Sequence, residues 1–274
     1  MVTDIQFYLH DLIKLCVSLD MPREVTDEVI PIAETLDARP LSGYMEKLLS
    51  IDTAPKAYDA IVAALGDDPR GFKLLTVYLE AAFQTRDAYD KIGVPRAVFT
   101  DTMKCLTRFI GEYYVTYGGY GFDRGWWVYR QLSLSLFRLG VLEFEMKGDI
   151  LSVHIPSDAV MTREALDESY GRAKEFFAKF FPGFNYESIQ CGTWLLSPVL
   201  RQLLPEGSRI LNFQADYEIT SVNPDAQDCM GWVFKRKYPD YESLPEETSL
   251  QRAIKKRLLS GGQIGAAAGR YKYI

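Results

Sequence analysis

The sequence predicts an α+β chain in two parts, an all-helical N-terminal domain over residues 1–117 followed by a mixed-sheet α/β domain over residues 118–274. Three observations predict it. Apolar residues recur at helical spacing almost without a break from residue 3 to about 137. The glycine cluster Gly118-Gly119-Tyr120-Gly121 interrupts that run and permits a sharp change of direction. Beyond Phe137 the apolar period falls to two, the spacing of strands with one buried face.

In the first part, Leu9, Leu12 and Cys16 share one helical face, and further helices are expected over 24–36, 43–50 and 54–65. Asp68-Pro69 starts a longer helix carrying Phe72, Leu75, Leu79 and Ala82, which Gly93 stops. Pro95 opens the clearest helix, whose stripe of Phe99, Met103, Leu106, Ile110, Tyr113 and Tyr117 must face a core. After the glycine cluster, Asp123 is placed to cap a helix with Trp126, Trp127, Arg130 and Leu134, which runs into a strand near Phe137.

In the second part, Leu142, Phe144 and Met146 alternate with Glu143, Glu145 and Lys147. Gly148-Asp149 turns the chain, and Leu151, Val153 and Ile155 then alternate with Ser152 and His154, which predicts a β-hairpin. A helix with Leu166, Tyr170, Ala173, Phe177 and Phe180 ends at Pro182-Gly183. A strand over 188–196 and a short helix over 198–204 follow, then strands over 209–222 and 229–238 around the polar loop from Asn223 to Asp228. The final helix opens at Pro245, with Glu246 and Glu247 in its first turn, Lys255, Lys256 and Arg257 near its end, and Gly261-Gly262 as its stop. Gly265-Ala266-Ala267-Ala268-Gly269 reads as a flexible tail joint.

A hydrophobic fraction of 47% over 274 residues supports a substantial core. The 31 basic and 37 acidic residues leave a net charge of −6, so no basic field is present to hold a nucleic acid. The four cysteines (Cys16, Cys105, Cys191, Cys229) form no CxxC pair, and the sequence holds only two histidines, His10 and His154. Neither a disulfide framework nor a metal site is expected. The N-terminus lacks the basic start and apolar run of a signal peptide, and no stretch approaches the length of a membrane span, so the expected compartment is the cytoplasm with no membrane partner. The sequence is silent on oligomeric state.

The second part reads helix, strand, strand, helix, strand, helix, strand, strand, the order of the GNAT acyltransferase core from its second helix onward. The residues resemble a bacterial N-acyltransferase family that pairs a helical N-terminal domain with a GNAT-like C-terminal domain. The resemblance rests on Gly93-Val94-Pro95 with Phe99-Thr100-Asp101-Thr102, on Leu136-Phe137-Arg138-Leu139-Gly140 with Leu142-Glu143-Phe144-Glu145, and on Val153-His154-Ile155-Pro156. It continues through Trp194-Leu195-Leu196-Ser197-Pro198, Leu203-Leu204-Pro205 and Thr248-Ser249-Leu250-Gln251-Arg252, so that it spans about residues 92–262. The resemblance implies transfer of an acyl group from acyl-CoA, a co-substrate rather than a permanently bound cofactor, to a small amine acceptor. Two positions depart from the family's pattern. Gly192 stands where members carry a histidine, and Ser157-Asp158-Ala159-Val160 stand where they carry glycines. The alternative reading is a catalytically silent GNAT-like module that binds a ligand or a protein.

By element order, the segment that would face the CoA pyrophosphate runs from Pro156 to Arg163, with Ser157, Asp158, Ala159, Val160, Thr162 and Arg163 as candidate binding residues. Unpaired amides at a helix N-terminus suit an anion. Glu143 and Glu145 share a strand face and are candidate general bases if burial raises the pKa of one; a solvated face is the alternative. His154, facing away from Val153 and Ile155, is the third catalytic candidate, against a purely structural hydrogen bond. Cys191 is either a small core hydrophobe or, beside His154, a nucleophile.

Overall fold

The computed structural model describes residues 2–37 and 39–273. The chain forms two compact units, Met1–Arg138 and Leu139–Ile274.

The first unit is helical: α1 (Val2–Ser18), α2 (Arg23–Thr35), α3 (Ser42–Leu48), α4 (Ala54–Leu65), α5 (Phe72–Ile92), α6 (Arg96–Met103), α7 (Cys105–Tyr117) and α8 (Gly125–Leu132). Among the described residues no strand precedes β1 (Leu136–Leu139). The start of α5 shows why Asp68 marks it. The Asp68 carboxylate accepts the backbone N–H groups of Lys73 and Leu74 at 3.2 and 3.0 Å, taking up donors that a helix start leaves without partners. Gly71, at φ 71°, turns the chain into that helix, and Gly93, at φ 75°, ends it.

The stripe expected on one helix after Pro95 is carried by two, α6 and α7, which meet at Lys104. Phe99, Met103, Leu106 and Ile110 are buried as predicted, whereas Tyr117, in the last turn of α7, is exposed. Asp123 does not cap α8; Arg124 occupies that position and no side chain bonds the first amides.

The second unit holds β2 (Leu142–Lys147), β3 (Ile150–His154), α9 (Arg163–Phe180), β4 (Ser188–Thr193), α10 (Leu200–Leu203), α11 (Arg209–Ala215), β5 (Tyr217–Asn223), α12 (Asp228–Phe234), α13 (Ser249–Leu259) and β6 (Ala266–Tyr271). The sheet order is β1-β2-β3-β4-β6-β5. The β2/β3, β4/β6 and β5/β6 pairs are antiparallel, and β3/β4 is parallel, so the sheet is mixed.

Three stretches depart from the sequence expectation. Residues 209–222 are helix then strand: the Ser208 hydroxyl accepts the N–H of Leu211 at 3.2 Å and so starts α11. Residues 229–238 contain a helix, α12, which buries Cys229 and Phe234 in a cluster with Trp194, Ile254 and Ile264. The supposed tail joint is β6, paired on both edges. Its small residues have weak strand propensity, but a Cβ at Gly269 would stand 3.1 Å from the Glu218 carbonyl and 3.2 Å from Leu196 Cδ1, so close packing outweighs propensity there. The last helix also starts later than expected, because Thr248 and Gln251 form a reciprocal capping box.

α9 packs over one face of the sheet. Phe144 meets Tyr170 edge-on at 5.8 Å, Tyr170 stacks on Tyr271 at 4.0 Å, and the Tyr170 and Tyr217 hydroxyls share a hydrogen bond of 2.5 Å. Burial pushes the Cys191 thiol up from 9.0 to about 12 and the Cys229 thiol up to about 11, and it holds the Tyr170 and Tyr217 hydroxyls well above the usual tyrosine range. The sign follows from linkage. Between pH 9 and 12 the unfolded chain gives up protons that the folded chain retains, so stability is full below the unfolded values and falls as pH rises. A melting temperature that declines steadily above pH 9 is the expected result, and a flat profile to pH 11 would contradict these burials.

Candidate active site

The β2/β3 hairpin sets the geometry. Its register pairs Glu143 with His154, Phe144 with Val153, and Glu145 with Ser152. Alternation sends Phe144 and Val153 to the α9 face and places Glu143, Glu145, Ser152 and His154 on the opposite one. Glu143 is 2% exposed and Glu145 8%, so this face is not the solvated surface that the charges alone would suggest. His154 Nε2 lies 2.8 Å from Oε2 of Glu145, its diagonal neighbour across the ladder. The His154 side chain is 24% exposed and that of Glu145 11%. A carboxylate accepts, so the Glu145 contact favours the ring tautomer that carries its hydrogen on Nε2.

The parallel pairing of β3 with β4 runs through Ile150↔Ser188, Leu151↔Ile189 and Ser152↔Gln190. β3 continues to His154 and β4 to Thr193, so the two strands run on beyond the ladder's end, and His154 stands at that opening. From Gln190 to Thr193, β4 is bonded on its other edge to β6. Ser152 and Gln190 share a level of the sheet; Cys191, the next residue along, therefore points to the face opposite His154. It is buried with its thiol pushed up to about 12, and the Cys/His nucleophile pair does not form.

After β3, Pro156 is buried while Ser157, Asp158 and Val160 are exposed. Ala159 N–H donates to the Pro156 carbonyl at 3.0 Å and Thr162 N–H to that of Val160 at 2.9 Å. The Thr162 hydroxyl caps α9 by accepting the N–H of Ala165 at 3.3 Å. Arg163 holds Asp167 through Nε and Nη2 at 3.0 and 2.5 Å and Asp216 through Nη1 at 2.6 Å. Its charge is thus committed to two carboxylates of its own unit. Its role is to tie the start of α9 to the end of α11, where Asp216 is 5% exposed.

A cavity of about 380 Å³ opens beside the free run of β4, between β4, β6, β5 and α12. None of the candidate catalytic or CoA-binding residues read from the sequence lines it. Its walls come from segments far apart in the chain, and the one local sign was a glycine inside a strand, Gly192.

Residues 10–134 match the N-acyltransferase N-terminal domain, and residues 136–271 match the GNAT-like C-terminal domain. The chain belongs to the N-acyltransferases built from these two domains. Solved acyltransferases share the fold. One in complex with decanoyl-CoA and teicoplanin superposes with a TM-score of 0.82 at 24% identity, covering 94% of this chain and 86% of that one. A mutant acyltransferase in complex with octanoyl-CoA gives 0.82 at 23% identity over 97% and 88%. No curated protein sequence matches the chain. The residues that match the GNAT-like domain include the sheet in which β6 lies between β4 and β5 and the parallel β3/β4 pair opens at its end. Among the described residues no helix is long and apolar enough to cross a membrane.

Proposed function

We propose that this chain transfers an acyl group from acyl-CoA to an amine, with His154 taking the proton. The observation that supports this best is the position of the His154–Glu145 pair, at the place where β3 and β4 part. Strand edges beyond a ladder's end offer backbone N–H and C=O groups to an extended amide-bearing arm such as pantetheine. In the reaction, the amine nitrogen's lone pair forms the C–N bond, the C–S bond breaks, and CoA leaves as a thiolate. The proton lost by nitrogen passes to His154 and from there to the thiolate sulfur, giving an amide and free CoA. Glu145 is a positioning residue that holds the ring and fixes its tautomer. Glu143, buried on the same face, adds a second carboxylate to that field.

The segment Ser157, Asp158, Ala159, Val160, Thr162 and Arg163 is proposed to lie beside the CoA phosphates, supported by its place between β3 and an 18-residue helix. Asp158 opposes an anion there. Asp158→Gly is expected to tighten CoA binding about threefold at low salt, and the gain should vanish at about 0.5 M salt because exposed charges are screened. Calorimetry that shows no change at low salt removes this segment from the site.

The reading as a whole is tested by calorimetry with decanoyl-CoA, where a Kd between about 1 μM and 1 mM is expected, followed by assay of CoA release with a panel of primary amines. Absence of any heat at millimolar thioester overturns it. Binding without turnover for every amine would instead support a silent GNAT-like binding module.

A further inference from the structure

Gly192 is a mid-strand residue without a structural reason to be glycine. It pairs with Ala268 in the β4/β6 ladder, lacks a positive φ, and has no heavy atom of the protein within 4 Å of where a Cβ would stand. A glycine inside a strand weakens it, and the usual compensation is the close approach of another group. The space in front of Gly192 is the cavity of about 380 Å³, a volume within the range of ligand clefts. Ala266 and Ala268 continue the floor on the neighbouring strand, and Trp194 and Trp232 supply aromatic walls. Among the residues lining it, Asp228 is the one ionisable group. Lys235 Nζ lies 5.7 Å from the Trp232 ring centroid but outside the lining, so Asp228 sets the sign of the wall itself.

We propose that this cavity is the acceptor subsite, and that it takes a primary amine carried on a flat aromatic body. The inference rests on the acyl-transfer reading and names its acceptor class. The flat floor and the two indoles suit a ring. Asp228 attracts the ammonium form of the amine and repels a carboxylate, so an arylalkylamine is preferred over the amino acid of the same skeleton; the bound ammonium gives one proton to solvent to free the lone pair that attacks, and the second passes to His154 in the transfer itself. The position also fits the chemistry. Gly192 and Thr193 belong both to the cavity and to the run of β4 beyond the parallel ladder, and one strand away His154 marks the same opening. An amine in the cavity therefore lies beside the strand edge proposed for the thioester arm.

The test uses the whole chain with phenethylamine, phenylalanine and ethylamine, first by calorimetry without thioester and then as acceptors with decanoyl-CoA. Phenethylamine is expected to bind, and to bind at least about fivefold more tightly than phenylalanine and ethylamine. Gly192→Leu, which fills the floor, should weaken phenethylamine about tenfold or more in calorimetry without thioester. Asp228→Asn, an exposed change that leaves the core intact, should erase the preference over phenylalanine. If phenethylamine binds and both substitutions act as stated, the subsite stands even when no amide forms, and it is then the acyl-transfer reading that fails. If phenethylamine does not bind, or binds the two variants as it binds the unaltered chain, the subsite is overturned whatever the turnover.

Discussion

Replacing His154 with glutamine is expected to lower acyl transfer by at least about a hundredfold, with decanoyl-CoA affinity unchanged, because a positioned general base contributes about 10²–10⁴ in rate. Glutamine can keep a hydrogen bond to Glu145, so the hairpin face should remain packed, but its amide cannot take a proton at neutral pH. The loss should therefore appear in kcat and spare both thioester binding and the melting temperature. Glu145→Gln keeps a partner for the ring but no longer dictates its tautomer, because an amide can donate as well as accept. A smaller fall of about tenfold is expected there, again in kcat rather than in KM. If His154→Gln retains transfer within about threefold, the bond between His154 and Glu145 is structural and the base must be sought elsewhere.

Gly71→Ala should destabilise the first unit by about 3 kcal/mol, a large loss for a single methyl group. Two effects add. At φ 71° an L-residue pays about 1–2 kcal/mol for the left-handed conformation. The new Cβ would also overlap the carbonyl oxygen of Phe122, backbone that has little freedom to yield because Phe122 N–H donates to the Arg70 carbonyl at 2.8 Å. Gly118→Ala is the control: φ is 78° and nothing lies within 4 Å of its Cβ, so only the conformational term of about 1 kcal/mol remains. Urea unfolding of the full chain, followed by helical circular dichroism, separates the two. Equal losses would mean that the chain around Phe122 relaxes freely.

Local rules carried much of this fold. Asp68, Gly93, the Gly148 turn and the Glu143-to-His154 alternation each act through a neighbour within a few residues, which is why each could be read from the sequence. Arg209–Ala215 and Asp228–Phe234 could not, because short segments with mixed apolar spacing fit strand and helix alike until Ser208 caps one and the Trp194 cluster buries the other. The candidate site divides in the same way. The common face of Glu143, Glu145 and His154 follows from period two, but their burial and the diagonal bond between His154 and Glu145 depend on packing and rotamers. Of the cavity, only the in-strand Gly192 was a local sign; its other walls come from distant segments, β6 among them, whose alanines and glycine are weak strand formers.

The position of β6 in the sheet also orders events during synthesis. β5 is held in the sheet only through β6, and β6 fills the place between β5 and β4. A ribosome that has delivered everything through Leu259 therefore presents β5 without a neighbour and β4 with one bare edge, on a nascent chain that already carries the helices meant to cover them. Bare edges of this kind pair with other chains. The sheet can therefore close only after Ala266–Tyr271 has been made and enters between two strands made earlier, and the small side chains of residues 266–269 leave little bulk to fit into that slot.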